Sequence, residues 1–106
     1  MPHSFKARPT TDFAKENIFN VMTGYLDFED TEALDLFAGT GSITLELLSR
    51  GCKEVVSVEM DRDHARFIQQ CIDKIKAENY TLVRGDVFRF MKSCKRQFDF
   101  IFADPP

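Results

Sequence analysis

Residues 33–42 read Ala33-Leu34-Asp35-Leu36-Phe37-Ala38-Gly39-Thr40-Gly41-Ser42. An apolar run leads into two glycines one residue apart, and Ile43 to Arg50 then follows at helical spacing, closed by Gly51. The pattern is strand, tight turn, helix. The glycines permit positive φ and let a ligand come close to the backbone. The helix that follows offers unpaired N–H groups suited to an anion. A dinucleotide fingerprint requires a third glycine where Thr44 stands. Taken alone, the loop fits a purely structural left-handed turn equally well.

Working outward, the rest of the chain repeats the alternation. Thr10 or Thr11 suits the N-cap of a helix reaching Thr23, with Ala14, Ile18, Val21, Met22 and Tyr25 as its apolar stripe and Gly24 as its stop. The first strand is Ala33–Phe37. Glu54–Glu59 is a β-branched run with little alternation, as expected of a strand covered on both faces. Asp61 caps a helix striped by Ala65, Ile68, Cys71, Ile72 and Ile75. Tyr80–Arg84 is a third strand, Val87, Phe90, Met91 and Cys94 mark a further helix face, and Phe98–Ala103 is a fourth strand. Strands separated by helices imply an α/β, Rossmann-like parallel sheet with helices on both faces. Such sheets bind ligands at the carboxyl ends of their strands. Asp35, Glu59, Asp86 and Asp104 lie within, at or just past those ends, and this is the main functional signal in the chain.

The composition bounds the partners. In 106 residues the net charge is −3 and there are 11 Phe, enough for a core and against disorder. No apolar run approaches the roughly 20 residues that span a bilayer, so no membrane partner is expected. Met1–Thr10 is polar and contains proline, unlike a secretory leader. It is expected to be an extended arm (residues 1–10) ahead of one domain (11–106). A nucleic-acid partner would have to meet local charge, because the bulk is acidic. Asp27–Asp35 holds acids and no base; Arg89, Lys92, Lys95 and Arg96 form a basic run that suits a helix C-terminus or a phosphate. Cys52, Cys71 and Cys94 are odd in number and widely spaced, which argues against disulfides and zinc and for small buried groups in a reducing cytoplasm. No metal is expected.

Each edge residue has a chemistry to offer. Glu59 lies 18 residues past Gly41, where a carboxylate accepts hydrogen bonds from two ribose hydroxyls; a solvated strand-end acid is the plainer alternative. Met60 can pack on a flat base. Asp86 can accept from an exocyclic amine of adenine, with Val87 or Phe88 backbone at the ring edge, or can cap the next helix. Asp104-Pro105-Pro106 joins a carboxylate to a stiff turn with outward carbonyls, a two-point acceptor for an –NH2 group.

With these residues in place, the chain resembles a class I S-adenosylmethionine-dependent methyltransferase. Asp35-x-Phe37-x-Gly39-x-Gly41 resembles the cofactor loop of the amino-methylating branch, and Asp104-Pro105-Pro106 the start of its Asp-Pro-Pro-Tyr/Phe motif. Arg8-Pro9-Thr10-Thr11-Asp12, Glu16, Phe19-Asn20, Leu45-Glu46, Leu48-Ser49-Arg50-Gly51 and Val58-Glu59-Met60-Asp61 are similar to the bacterial 16S rRNA guanine-N2 methyltransferase family. The resemblance implies a sheet ordered 3-2-1-4-5-7-6 with an antiparallel last strand, of which these residues supply strands one to four in the order 3-2-1-4. It implies S-adenosyl-L-methionine as cofactor, held by Asp35, Phe37, Ala38, Gly39, Thr40, Gly41, Glu59, Met60, Asp86 and Val87. It implies Asp104, Pro105 and Pro106 at the target amine, and 16S rRNA or the assembled small subunit as partner, with Lys6 and Arg8 on its phosphates. The motif's aromatic residue, which stacks on the target base, is not among these residues. The expectation is therefore a domain incomplete at its C-terminus, with weak or no turnover by the 106 residues alone. A nicotinamide dehydrogenase, an adenine-N6 or protein-amide methyltransferase, and an inactive cofactor-binding module are the competing readings.

Overall fold

The computed structural model describes residues 12–105. The arm residues, including Lys6, Arg8 and the proposed caps Thr10 and Thr11, lie outside the described residues, as does Pro106. The element order is α1 (Asp12–Thr23), a 3-10 turn (Phe28–Asp30), β1 (Glu32–Leu36), α2 (Ser42–Ser49), β2 (Glu54–Glu59), α3 (Arg62–Ile75), β3 (Tyr80–Arg84), α4 (Val87–Ser93) and β4 (Phe100–Ala103). The strands form one sheet in the order β3-β2-β1-β4, every pair parallel. Asp35 sits beside Ser57 on one side and Phe102 on the other.

The pleat divides the core into two apolar clusters. Phe19 and Met22 of α1 and Ile43 and Leu47 of α2 pack with Ala33, Cys52 and Val55 against one face. Val87 of α4 packs with Leu34, Leu36, Val56 and Val58 on the other. β1 and β2 are buried almost throughout, as continuous apolar strands require, whereas β3 is half-buried with Thr81 and Arg84 exposed, and β4 leaves Ile101 and Ala103 exposed on one side. Coverage of both faces thus holds only for the central pair among the described residues.

Four sequence-based expectations are corrected. Phe37 is not a strand residue: its φ of 57° is left-handed, so the ladder stops at Leu36. The stripe of α1 is rotated, because Phe19 is fully buried whereas Val21 and Tyr25 face solvent. A cation at the C-cap of α2 covers Phe19, with the Arg50 guanidinium 4.9 Å from its ring centroid. Ile75 and Met91 are likewise exposed, and of the cysteines only Cys52 is buried; Cys71 and Cys94 are half-buried, and all three are free thiols.

The basic run also divides. Lys92 lies in the last turn of α4, as a helix dipole favours. Arg96 instead leaves the helix and bonds Glu32 at 2.6 Å and Glu54 at 3.0 Å, while lying 4.9 Å over the Phe98 ring. It joins the amino ends of β1 and β2, with Asp99 bonded to Glu32 through both its amide and its carboxylate before the β4 ladder begins.

Truncating Phe19 to Ala is expected to cost about 3–5 kcal/mol of stability, the usual loss for a buried aromatic. Val21→Ala should stay within about 0.5 kcal/mol. Urea denaturation of the two variants checks the rotated stripe.

Candidate active site

The chain reverses between β1 and α2 through three positive-φ residues, Phe37 (57°), Gly39 (60°) and Gly41 (82°). At Gly41 both backbone and space demand glycine, since a Cβ would sit 2.9 Å from Cγ1 of Ile68 on α3. Gly41 occupies the N-cap of α2 and brings no side chain to it. The turn is held from the sheet instead. The Ala38 amide donates to the Val58 carbonyl at 3.1 Å, and the buried Gly39 amide donates to Oε1 of Glu59 at 2.6 Å.

Glu59 closes β2 and uses both oxygens, since Oε2 accepts from the Asp61 amide at 2.9 Å. A carboxylate has about four lone-pair sites. Two amides therefore fix its orientation and leave acceptor capacity for a pair of hydroxyls. Asp61 itself caps α3 by accepting from the His64 amide at 2.9 Å. The buried His64 ring brings Nδ1 to 3.8 Å from Glu59 Oε2 and 3.7 Å from Asp61 Oδ2.

Asp35 lies beneath the loop, not in it. It is 1% exposed and accepts from the Thr44 hydroxyl at 2.7 Å. Burial pushes its pKa up from 3.8 to about 7; the Thr44 hydroxyl and amide pull it down, and Glu59 and Asp104 raise it further. The Thr44 hydroxyl also bonds that of Ser57 on β2, and all three side chains are buried. The Tyr80 hydroxyl is buried beside Ser57; burial pushes its pKa up to about 12 against the pull of the Ser57 hydroxyl, and Asp35 adds to the rise.

The remaining edge residues behave as follows. Asp86 is exposed and caps α4, accepting from the Phe88 amide at 2.8 Å through Oδ1 alone, so capping leaves Oδ2 for another donor. The Val87 side chain is spent in the core, which leaves only its backbone to face the edge. Met60 (68% exposed) and Phe88 (66%) stand out as apolar groups beside the acids, and Phe88 meets Phe37 edge-on at 6.2 Å. Ala38 and Thr40 are half-buried in the loop, and Asp104 and Pro105 are exposed past β4. The sheet thus brings Asp35, the loop, Glu59, Met60, Asp86 and Asp104 to one edge. Thr44, Ser57 and His64 are functional candidates that the sequence did not announce. Thr44 entered only as a missing glycine, and the partners of Ser57 and His64 come from separate elements.

These donors and acceptors fit an adenosyl cofactor of the S-adenosylmethionine type. Glu59 keeps lone pairs for ribose, Asp86 keeps one oxygen for an amine, and the open backbone turn after β1 lies on the other side of Glu59 from Asp86. Among the described residues no group of three or more His, Cys, Asp or Glu is placed to hold a metal, and no helix is long and apolar enough to cross a membrane.

Sheet order and edge together define a class, the Rossmann-like methyltransferase fold. A family model described as conserved hypothetical protein 95 matches residues 1–106, and the chain belongs to that family. It is 36% identical over 103 residues to ribosomal RNA small subunit methyltransferase D of Haemophilus influenzae, covering 93% of this chain and 52% of that protein. To the protein of the same name from Escherichia coli K12 it is 33% identical over 106 residues, covering 100% and 52%. A solved Escherichia coli structure, provisionally assigned as the methyltransferase yhhF, superposes with a TM-score of 0.86 at 30% identity, over 96% of this chain and 56% of that one. The chain spans about half the length of the curated relatives it matches.

Two outcomes follow from this geometry. Asp35 binds its proton more tightly folded than unfolded, so its contribution to stability is full below about pH 4 and is lost as pH rises to about 7. The loss is about 4 kcal/mol at most, and Asp35→Asn should flatten that part of a urea-midpoint-against-pH curve. Gly41→Ala should cost about 1–2 kcal/mol from the left-handed backbone alone, with the Ile68 contact adding to it; thermal denaturation reads the loss.

Proposed function

We propose that the carboxyl edge binds S-adenosyl-L-methionine and that the protein methylates the exocyclic N2 amine of a guanine in 16S rRNA, free or within the small ribosomal subunit, in the cytoplasm. The observation that carries the cofactor half is the Gly39–Glu59 hydrogen bond, which locks the turn after β1 to the carboxylate ending β2. The relatives named ribosomal RNA small subunit methyltransferase D support the RNA half.

When bound, the cofactor supplies an electrophilic methyl group on a sulfonium. The chain's own residues bind and orient. The Phe37–Gly41 backbone receives the amino-acid end, Glu59 accepts from the ribose hydroxyls, and Asp86 accepts from the adenine amine between Met60 and the Val87 backbone. A guanine amine is a poor nucleophile because its lone pair is delocalised into the ring. Asp104 and the Pro105 carbonyl accept its hydrogens, favour a pyramidal nitrogen and stabilise the charge that develops there. Holding that nitrogen in line is the main catalytic contribution. Lys6 and Arg8 meet RNA phosphates, where local charge suffices.

Calorimetry separates the cofactor reading from its rival. One S-adenosylhomocysteine should bind per chain, Glu59→Ala should weaken it by about tenfold or more, and NAD should not bind. Tight NAD binding without S-adenosylhomocysteine contradicts the reading. For the substrate, labelled methyl groups supplied with small subunits lacking the modification should appear as N2-methylguanosine in 16S rRNA, and Asp104→Ala should cut incorporation by about 100-fold or more. Label in adenine or protein would reassign the substrate; cofactor binding with no transfer, even when the chain is extended past Pro106, would identify a binding module.

A further inference from the structure

We propose that Thr44 and Ser57 are positioning residues for the cofactor loop, acting through Asp35 to hold the first turn of α2, and with it the Phe37–Gly41 turn, in the shape that receives the ligand. The proposal rests on the reading of the carboxyl edge as the cofactor site.

Three buried polar side chains from three elements meet under the loop: Asp35 of β1, Thr44 of α2 and Ser57 of β2. Asp35 and Ser57 are register partners on adjacent strands, so they share a face, and Thr44 lies over them one turn into the helix. Their hydrogen bonds have a direction. Thr44 owns one O–H and gives it to Asp35 Oδ2 at 2.7 Å. Toward Ser57 it can then only accept, so the chain runs from Ser57 through Thr44 to the carboxylate. The Thr44 amide also points at Asp35. These contacts draw the start of α2 down onto β1 and β2, where Gly41 offers no side-chain cap.

Stability does not explain the choice of residues. Apolar side chains of the same size would fill these positions without the cost of burying polar groups. What the polar chain adds is direction, since only a hydroxyl bridge fixes the height and rotation of α2's first turn relative to the strand that carries the loop.

The charge on Asp35 sets the strength of the device. The groups that face it are Glu59 from β2, Asp104 beyond β4 and Tyr80 from β3. α2 brings only the Thr44 hydroxyl and amide, because its Glu46 pairs with Arg50 and Lys15. An ionised Asp35 accepts from both Thr44 donors; a protonated one competes with them. Ligand affinity should therefore rise with pH through the neutral range.

The test uses S-adenosylhomocysteine calorimetry on the full chain and on Thr44→Val, Thr44→Ser, Ser57→Ala and Asp35→Asn, with a urea midpoint for each. Thr44→Val and Ser57→Ala should weaken binding by about tenfold, the scale of one hydrogen bond to a charged group; Thr44→Val should also lower the urea midpoint, because Asp35 loses its hydroxyl donor, and Ser57→Ala should lower it less. Thr44→Ser, which keeps the hydroxyl, should bind as the parent does. Parent affinity should climb between about pH 6 and 8, and that of Asp35→Asn should stay flat. Amide exchange without ligand gives a second readout: Gly39 and Gly41 should exchange faster in Thr44→Val and Ser57→Ala but not in Thr44→Ser. Unchanged binding and exchange in Thr44→Val and Ser57→Ala overturn the proposal, as does a Thr44→Ser variant as weak as Thr44→Val. If Thr44→Val fails to fold, Ser57→Ala and Thr44→Ser decide. A parent chain that binds no S-adenosylhomocysteine removes the cofactor reading instead, and the exchange data still report on the hydroxyl chain.

Discussion

The hydrogen bond from the Gly39 amide to the Glu59 carboxylate is the constraint on which the rest of the edge depends. Past Leu36 the backbone turns left-handed three times in five residues, and no side chain caps the helix that follows. A buried amide in such a turn costs roughly 1–3 kcal/mol if left unpaired. Glu59 removes that cost with a charge-assisted bond, which is shorter and stronger than a neutral one. Its other oxygen takes the Asp61 amide, so one carboxylate ties the loop after β1 to the loop after β2. Its remaining lone pairs are aimed by the same two contacts.

The two ends of the sheet are chemically unlike. At the amino end, Arg96 neutralises Glu32 and Glu54 and lies over Phe98. These are half-exposed pairs, worth little each in water, but they draw the approach to β4 onto β1. At the carboxyl end the strands deliver Asp35, Glu59, Asp86 and Asp104 to one side, and Glu59 and Asp104 help to raise the Asp35 pKa. A parallel sheet creates this difference without further design, because every strand ends at the same edge. An edge rich in carboxylates suits a cationic methyl donor and the amine hydrogens of its acceptor.

How much of this was legible in the sequence depended on the range of the interactions involved. Strand and helix order followed from local periodicity, and so did the caps at Asp61 and Asp86, whose partners lie two or three residues away. The edge acids were legible because a parallel α/β order implies where strand ends go. Helix faces were less so: Val21, Tyr25, Ile75 and Met91 match the helical spacing but are exposed, because spacing alone does not fix how far the buried stripe extends. Phe37 looked like strand because its apolar side chain says nothing of its φ. Arg96 pairs across 64 residues with Glu32, and Thr44 gains meaning only when β1 and β2 bring Asp35 and Ser57 side by side. Asp35 reaches the carboxyl edge as the strand order implies, but its burial beneath the loop appears only in three dimensions.

The most direct test of the carboxyl edge as a cofactor site is an amide NMR titration of the chain with S-adenosylhomocysteine. The shifts should concentrate at residues 37–41, at Glu59 and Met60, and at residues 86–88, leaving the Arg96 end of the sheet unmoved. Perturbations centred on Glu32, Glu54 and Arg96, or none anywhere at saturating ligand, would contradict it.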